Sequence, residues 1–142
     1  MNYYEKQFQV IEWLKDYEAY KAGIENLKQI IDDIAEEGMG LTYDKEPVSP
    51  TNKFSSITEN AVIKIDKHDI EHRIKVMENI VNAIDKALKS LTDIEREVII
   101  NRCMKSQYYY QFCYKVGCSE RTARRIKKNA LKKMVIVIFG EK

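Results

Sequence analysis

Residues 121–133, RTARRIKKNALKK, carry seven Lys and Arg side chains and no acid. Two chemistries are open to such a set. Ammonium groups neutralise phosphates as point charges, and a guanidinium can donate two parallel hydrogen bonds to guanine O6 and N7. A helix this cationic repels itself unless an anionic partner is at hand. On a 3.6-residue period Ala123, Ile126, Ala130, Leu131 and Met134 share one face, which turns Arg121, Arg124, Arg125, Lys128 and Lys132 to the other. An isolated basic run is most often a solvated face, so the weight of this one depends on the segment ahead of it.

That segment has the punctuation of a helix, a tight turn and a second helix. Ser119 suits an N-cap, with Cys118 before it placed to meet Ala123 as a hydrophobic staple, and Gly117 can take the positive φ that a sharp turn requires. Tyr109, Phe112 and Val116 form the apolar side of a short preceding helix, and Cys113 is small enough to sit where two backbones approach. Further back, T-D-I-E at Thr92–Glu95 reads as a capping box opening a helix that carries Ile94, Val98, Ile99 and Cys103 inward. The order predicts a helix-turn-helix. The tyrosine triplet Tyr108, Tyr109 and Tyr110 reads as packing and turn chemistry, although one hydroxyl could bond a phosphate.

Other chemistries find little support. His68 and His72 stand four apart near Asp69 and Glu71, a spacing that can hold a metal, but isolated H-x-x-x-H pairs more often face solvent, and no metal is expected. There is no Gly-rich phosphate loop, nucleophile elbow or H-E-x-x-H, so neither an enzyme nor a cofactor is expected. Cys103, Cys113 and Cys118 form an odd set without a C-x-x-C pair and read as reduced, packed thiols.

The elements that must position the basic run are helical too. Apolar residues Val10, Trp13, Tyr17, Tyr20, Ile24, Leu27, Ile31 and Ile34 follow a 3-4-3-4 spacing, and Gly38 and Gly40 stop the helix it predicts. A second stripe begins at Ile63 and runs through Ile70, Ile74, Met77, Val81, Ile84, Leu88 and Leu91. The polar stretch between, with Pro47, Ser49, Pro50, Ser55 and Ser56, predicts a mobile loop over about residues 38–56. The expected fold is therefore all-α, with a long N-terminal helical hairpin over 1–90 and a C-terminal helix-turn-helix bundle over 91–142. Packed core is the preferred reading of both stripes; homodimerisation through them, or pairing between chains, is left open. Val135–Phe139 is either a helix tail docked on the hairpin or a short strand.

The net charge of +2 hides an asymmetry: residues 1–89 hold 12 Lys/Arg against 17 Asp/Glu, and residues 90–142 hold 12 against 5, so the two parts carry −5 and +7. A positive end on a nearly neutral chain is the footprint of a polyanion binder. No run approaches the roughly 18 apolar residues of a membrane span, and Glu5 and Lys6 interrupt any apolar leader. A cytoplasmic protein without a membrane partner is expected.

The stretch L-T-D-I-E-R-E-V-I followed by S-E-R-T-A-R-R-I-K-K-N-A-L-K-K-M resembles region 4 of bacterial sigma factors, with Ile126, Ala130, Leu131 and Met134 on its hydrophobic signature. The wider layout, with a Ser/Pro loop leading into T-E-N-A-V, is similar to the small phage regulators of the ArpU and RinA families. The resemblance implies a sequence-specific double-stranded DNA binder that activates phage late genes with the RNA polymerase of a bacterial host. It places base reading on Glu120, Arg121, Arg124 and Arg125. The order of Glu120 and Arg121 is the reverse of the usual basic-then-acidic pair, which implies a target different from the common −35 element. No segment resembles the sigma region that melts the −10 element, so a regulator acting at a promoter is expected and not a complete sigma factor. On this expectation Ser119, Thr122, Lys127, Lys128 and Lys132 meet phosphates, while Glu120 can accept from cytosine N4. Two rival classes remain: a module binding polymerase or a phage protein through the hairpin, and a small terminase-like packaging subunit, which would form rings.

Overall fold

The computed structural model describes residues 1–40 and 50–141, with side chains over 1–36 and 67–141. Every regular element among them is helical: α1 (Tyr3–Lys15), α2 (Tyr17–Gly40), α3 (Pro50–Lys89), α4 (Asp93–Ile99), a π-helical turn (Ile100–Met104), α5 (Tyr109–Val116) and α6 (Glu120–Phe139). The protein is all-α, as expected, and no helix of the described residues is long and apolar enough to cross a membrane.

The first apolar stripe proves to be two helices. Asn2 caps α1 and exchanges two bonds with Glu5, and the helix closes at Asp16, whose N–H reaches the carbonyls of both Glu12 and Leu14. Neither Gly nor Pro marks that break, and the 3-4 spacing runs straight through it, so the pattern could not show it. The predicted loop over 38–56 is also too long. α2 continues to Gly40, and α3 opens at Pro50, well before Ile63; residues 41–49 lie outside the described residues. Pro50 is the first residue of α3, where a missing N–H costs nothing and a fixed φ suits the helix, so the same proline that reads as a loop marker is here a start signal.

The described chain falls into two compact units, Met1–Tyr20 with Asn79–Lys142, and Lys21–Glu78, whereas the sequence-based division lies at residue 90. In the second unit Ile70 and Ile74 are buried, the Met77 sulfur lies against Gly23, and Lys28 pairs with Glu78 at 3.0 Å.

The first unit holds the basic helix. Its core joins Val10 and Leu14 of α1, Ile84 and Ala87 at the end of α3, Leu91, Ile99, Cys103, and Ala130, Leu131, Met134 and Val135 of α6. Each large aliphatic side chain so buried contributes about 1.5–3 kcal/mol. Tyr17 donates a short hydrogen bond to Asp85, and with burial this pushes its phenol up to about 12. Arg96 ties α3 to α4, its guanidinium donating to the carbonyl of Leu88 in the last turn of α3, to that of Leu91 beyond it, and to Asp93.

Two details of this unit differ from the sequence reading. Ile94, expected inward, is half-exposed, and Glu95 is buried in its place. Beyond Ile99 the chain widens into a π turn, which resets the helical phase and still buries Cys103. Val135–Phe139 is helical: α6 runs unbroken to a left-handed Gly140, and Phe139 stacks on Trp13 of α1 with ring centres 6.1 Å apart.

Candidate nucleic-acid interface

α5 and α6 are joined by Gly117, Cys118 and Ser119. Gly117 has φ 79°, and its N–H and that of Cys118 both donate to the Cys113 carbonyl, at 3.0 and 3.2 Å, which ends α5. Ser119 then caps α6, its hydroxyl accepting from the Thr122 N–H at 3.2 Å and donating to the Thr122 hydroxyl at 3.0 Å. Phe112 of α5 and Ala123 of α6 are buried where the helices meet. The turn glycine, the N-cap and the apolar seat are those the sequence indicated.

Because Ala123, Ala130, Leu131, Met134 and Val135 face inward, the cations fall where the period put them. Arg121, Arg124, Arg125, Lys128 and Lys132 are exposed, Glu120 and Thr122 are half-buried, and Ser119 is exposed. Lys127 departs from this set. It is half-buried on the inner arc, and its charge acts on the Cys103 thiol, whose pKa burial raises and Lys127, Arg102 and Lys15 partly restore. All three cysteines are free. Ile126, assigned to the inward face, is half-buried.

The charge balance within the fold separates one lysine from the rest. Lys133 donates to buried Glu95 at 2.8 Å; among the described residues no other α6 cation is engaged by a carboxylate. Burial works to raise the Glu95 carboxyl, but Lys133 and the Thr92 N–H and hydroxyl outweigh it and hold it below its ordinary value. Glu95 thus serves twice, closing the capping box with Thr92 and anchoring α6 to α4. A capping-box pattern could show the first role; the second joins residues 38 apart and left no signal in the sequence.

Arg124 is held by an aromatic ring. Its guanidinium and that of Arg102 lie over Tyr109, 5.0 and 5.2 Å from the ring centre. Stacking uses the face of a guanidinium and leaves its edge donors able to reach a ligand. Arg102 also donates to the Gln107 carbonyl across the bend that carries Ser106 at φ 54°. The tyrosine triplet therefore divides. Tyr109 packs toward Phe112, whereas Tyr108 and Tyr110 are exposed and stack on one another at 5.7 Å, nearly parallel. Tyr114 is exposed beside Lys115. A face of cations without carboxylate partners among the described residues, bordered by phenols, can bind phosphates and base edges. His68 and His72 are exposed on α3, and no cluster of three or more metal-ligating side chains occurs among the described residues.

A family described as a protein of unknown function (DUF722) matches residues 8–135 of this chain. No curated protein and no solved structure matches it.

Proposed function

The chain belongs to the DUF722 family, whose function is not known, and we propose that it is a sequence-specific double-stranded DNA-binding regulator of transcription. One observation carries this reading. Five exposed cations on α6, Arg121, Arg124, Arg125, Lys128 and Lys132, lack carboxylate partners among the described residues on a helix seated by its apolar face behind a glycine turn. α5, the turn and α6 act as a helix-turn-helix. The first turns of α6 enter the major groove, where Arg121, Arg124 and Arg125 donate to guanine O6 and N7 and Glu120 accepts from cytosine N4. Lys128 and Lys132, with Ser119, Thr122 and Lys127, hold the phosphates, Lys127 swinging out from its half-buried position.

The resemblance to sigma region 4 and to the ArpU and RinA regulators supports a finer reading: an activator of phage late genes that contacts bacterial RNA polymerase at a promoter, in the host cytoplasm. The protein acts by binding, without catalysis or cofactor. Selection of fragments from bacterial and phage genomic DNA by the purified protein, followed by titration of the enriched duplex, tests both levels. Enrichment of fragments carrying a shared motif upstream of late genes is expected. Retention of no DNA at about 50 mM salt would refute DNA binding, since even non-specific binders hold DNA there. Ring-shaped oligomers binding only packaging sites would favour the terminase-like alternative.

A further inference from the structure

α1 and α6 enclose a cleft lined by Tyr3, Tyr4, Gln7, Lys128 and Lys132. Its lining contains two ammonium groups, two phenols and an amide, and no carboxylate. Lys128 and Lys132 stand one helical turn apart on the same face of α6, both exposed. Tyr4 is 77 % exposed, and the Tyr3 hydroxyl is buried with no hydrogen-bond partner. The adjacent cation of α1, Lys6, is committed elsewhere, buried against Phe139 and paired with Glu141 at 3.0 Å.

Every polar group lining the cleft can donate a hydrogen bond, and none is an anion. Such a set matches a group that only accepts, and the non-bridging oxygens of a phosphodiester are of that kind. Distance along α6 says which phosphodiester. α6 is 20 residues long, or about 30 Å, at roughly 1.5 Å per residue. The major groove is only about 12 Å wide. Lys128 and Lys132 follow Arg121 by seven and eleven residues, about 10 and 16 Å along the axis. With Arg121 over the bases, these lysines and the α1 residues beside them fall on the strand bordering the groove.

We propose that the cleft between α1 and α6 is a subsite for the DNA backbone flanking the recognised bases, so that α1 forms part of the DNA-binding surface. This rests on the reading of α6 as a DNA-binding helix and adds Tyr4 and Gln7 to its contacts. Its consequence is a longer footprint than a two-helix reader would leave.

The test uses the full chain and two duplexes of the selected motif, one trimmed to the recognised bases and one extended on both sides by about half a helical turn. Gln7 is half-buried at the rim, so its replacement should leave the core intact, which a thermal melt checks. Gln7→Glu should weaken binding to the extended duplex by about tenfold and Gln7→Lys should strengthen it several-fold, raising the salt slope by about one. Both should leave the trimmed duplex unaffected. Tyr4→Phe should weaken the extended complex alone. If wild type binds both duplexes and the two Gln7 variants match it on each, the cleft makes no backbone contact and the inference falls while the DNA-binding reading stands. If wild type binds neither duplex, the functional reading itself has failed.

Discussion

α3 and α6 are both long, charged helices, and they dispose of their charge in opposite ways. Along the described part of α3 the signs are mixed and pair locally: Arg73 meets Asp69 at 2.8 Å, His68 stands near Glu71, and Glu78 meets Lys28 of α2. Along α6 seven cations stand over residues 121–133, and among the described residues a single carboxylate, Glu95, takes up one of them. The first pattern is that of a helix solvated by its own ion pairs, each worth only a few tenths of a kcal/mol. The second is stable only because an apolar seat bears the cost of gathering like charges, and it leaves a field for an external anion. A count of cations alone would not separate these helices, with seven Lys and Arg on each; the acids that pair with them do.

The largest effect on this contrast should come from removing the seat. Phe112→Ala empties the site between α5 and α6 and should cost about 3–5 kcal/mol, read by chemical denaturation, with DNA binding lost in parallel. Next, Arg121→Ala or Arg125→Ala should cost about 1–3 kcal/mol on the selected duplex and far less on a scrambled one, whereas Lys132→Ala should weaken both alike. Arg73→Ala on α3, the matched control, should alter neither titration. Equal behaviour of Arg125→Ala and Lys132→Ala on the two duplexes would remove the distinction between base and backbone contacts.

Glu95 sharpens the comparison from the acid side. Its folded-state pKa is lowered, so its contribution to stability is present above the ordinary carboxyl range and fades as pH falls through the folded value. Glu95→Gln should therefore destabilise the fold by about 1 kcal/mol at neutral pH. The gap between the variant and wild type should narrow as pH falls below the ordinary carboxyl range; denaturation at several pH values reads this directly. The smallest effect is expected for Asp69→Asn, which breaks one exposed pair of α3 and should shift stability by less than about 0.5 kcal/mol.

The legible parts of the molecule were those in which a local rule and a period agreed. Gly117 at positive φ, Ser119 as N-cap, the Thr92–Glu95 box and the outward arginines all follow from chemistry within one or two turns. What escaped depends on partners distant in sequence or on backbone changes without a sequence mark. The π turn shifts the phase after Ile99, the break at Asp16 interrupts an unbroken stripe, and Ile94 and Glu95 exchange places because Lys133 supplies a partner for a buried carboxylate. Lys127 was named among the phosphate contacts though not among the outward cations, and at 100° per residue it falls on the inner arc beside Leu131, where it is half-buried. The packing of α1 against α6, through Val10, Leu14 and the Trp13–Phe139 stack, was legible only in part: Val10 and Trp13 lay on an apolar stripe, and Val135–Phe139 read either as a docked helix tail or as a strand, but nothing local named the partner.

The central claim is that the outward face of α6 meets phosphates and bases. Titration of the purified protein with its selected duplex over a range of salt concentrations tests it most directly. The prediction is a linear fall of log affinity with log salt, at roughly 0.9 per phosphate neutralised, with a shallower slope for Lys128→Ala and Lys132→Ala. Affinity indifferent to salt, or a slope those lysine substitutions leave unchanged, would contradict the account.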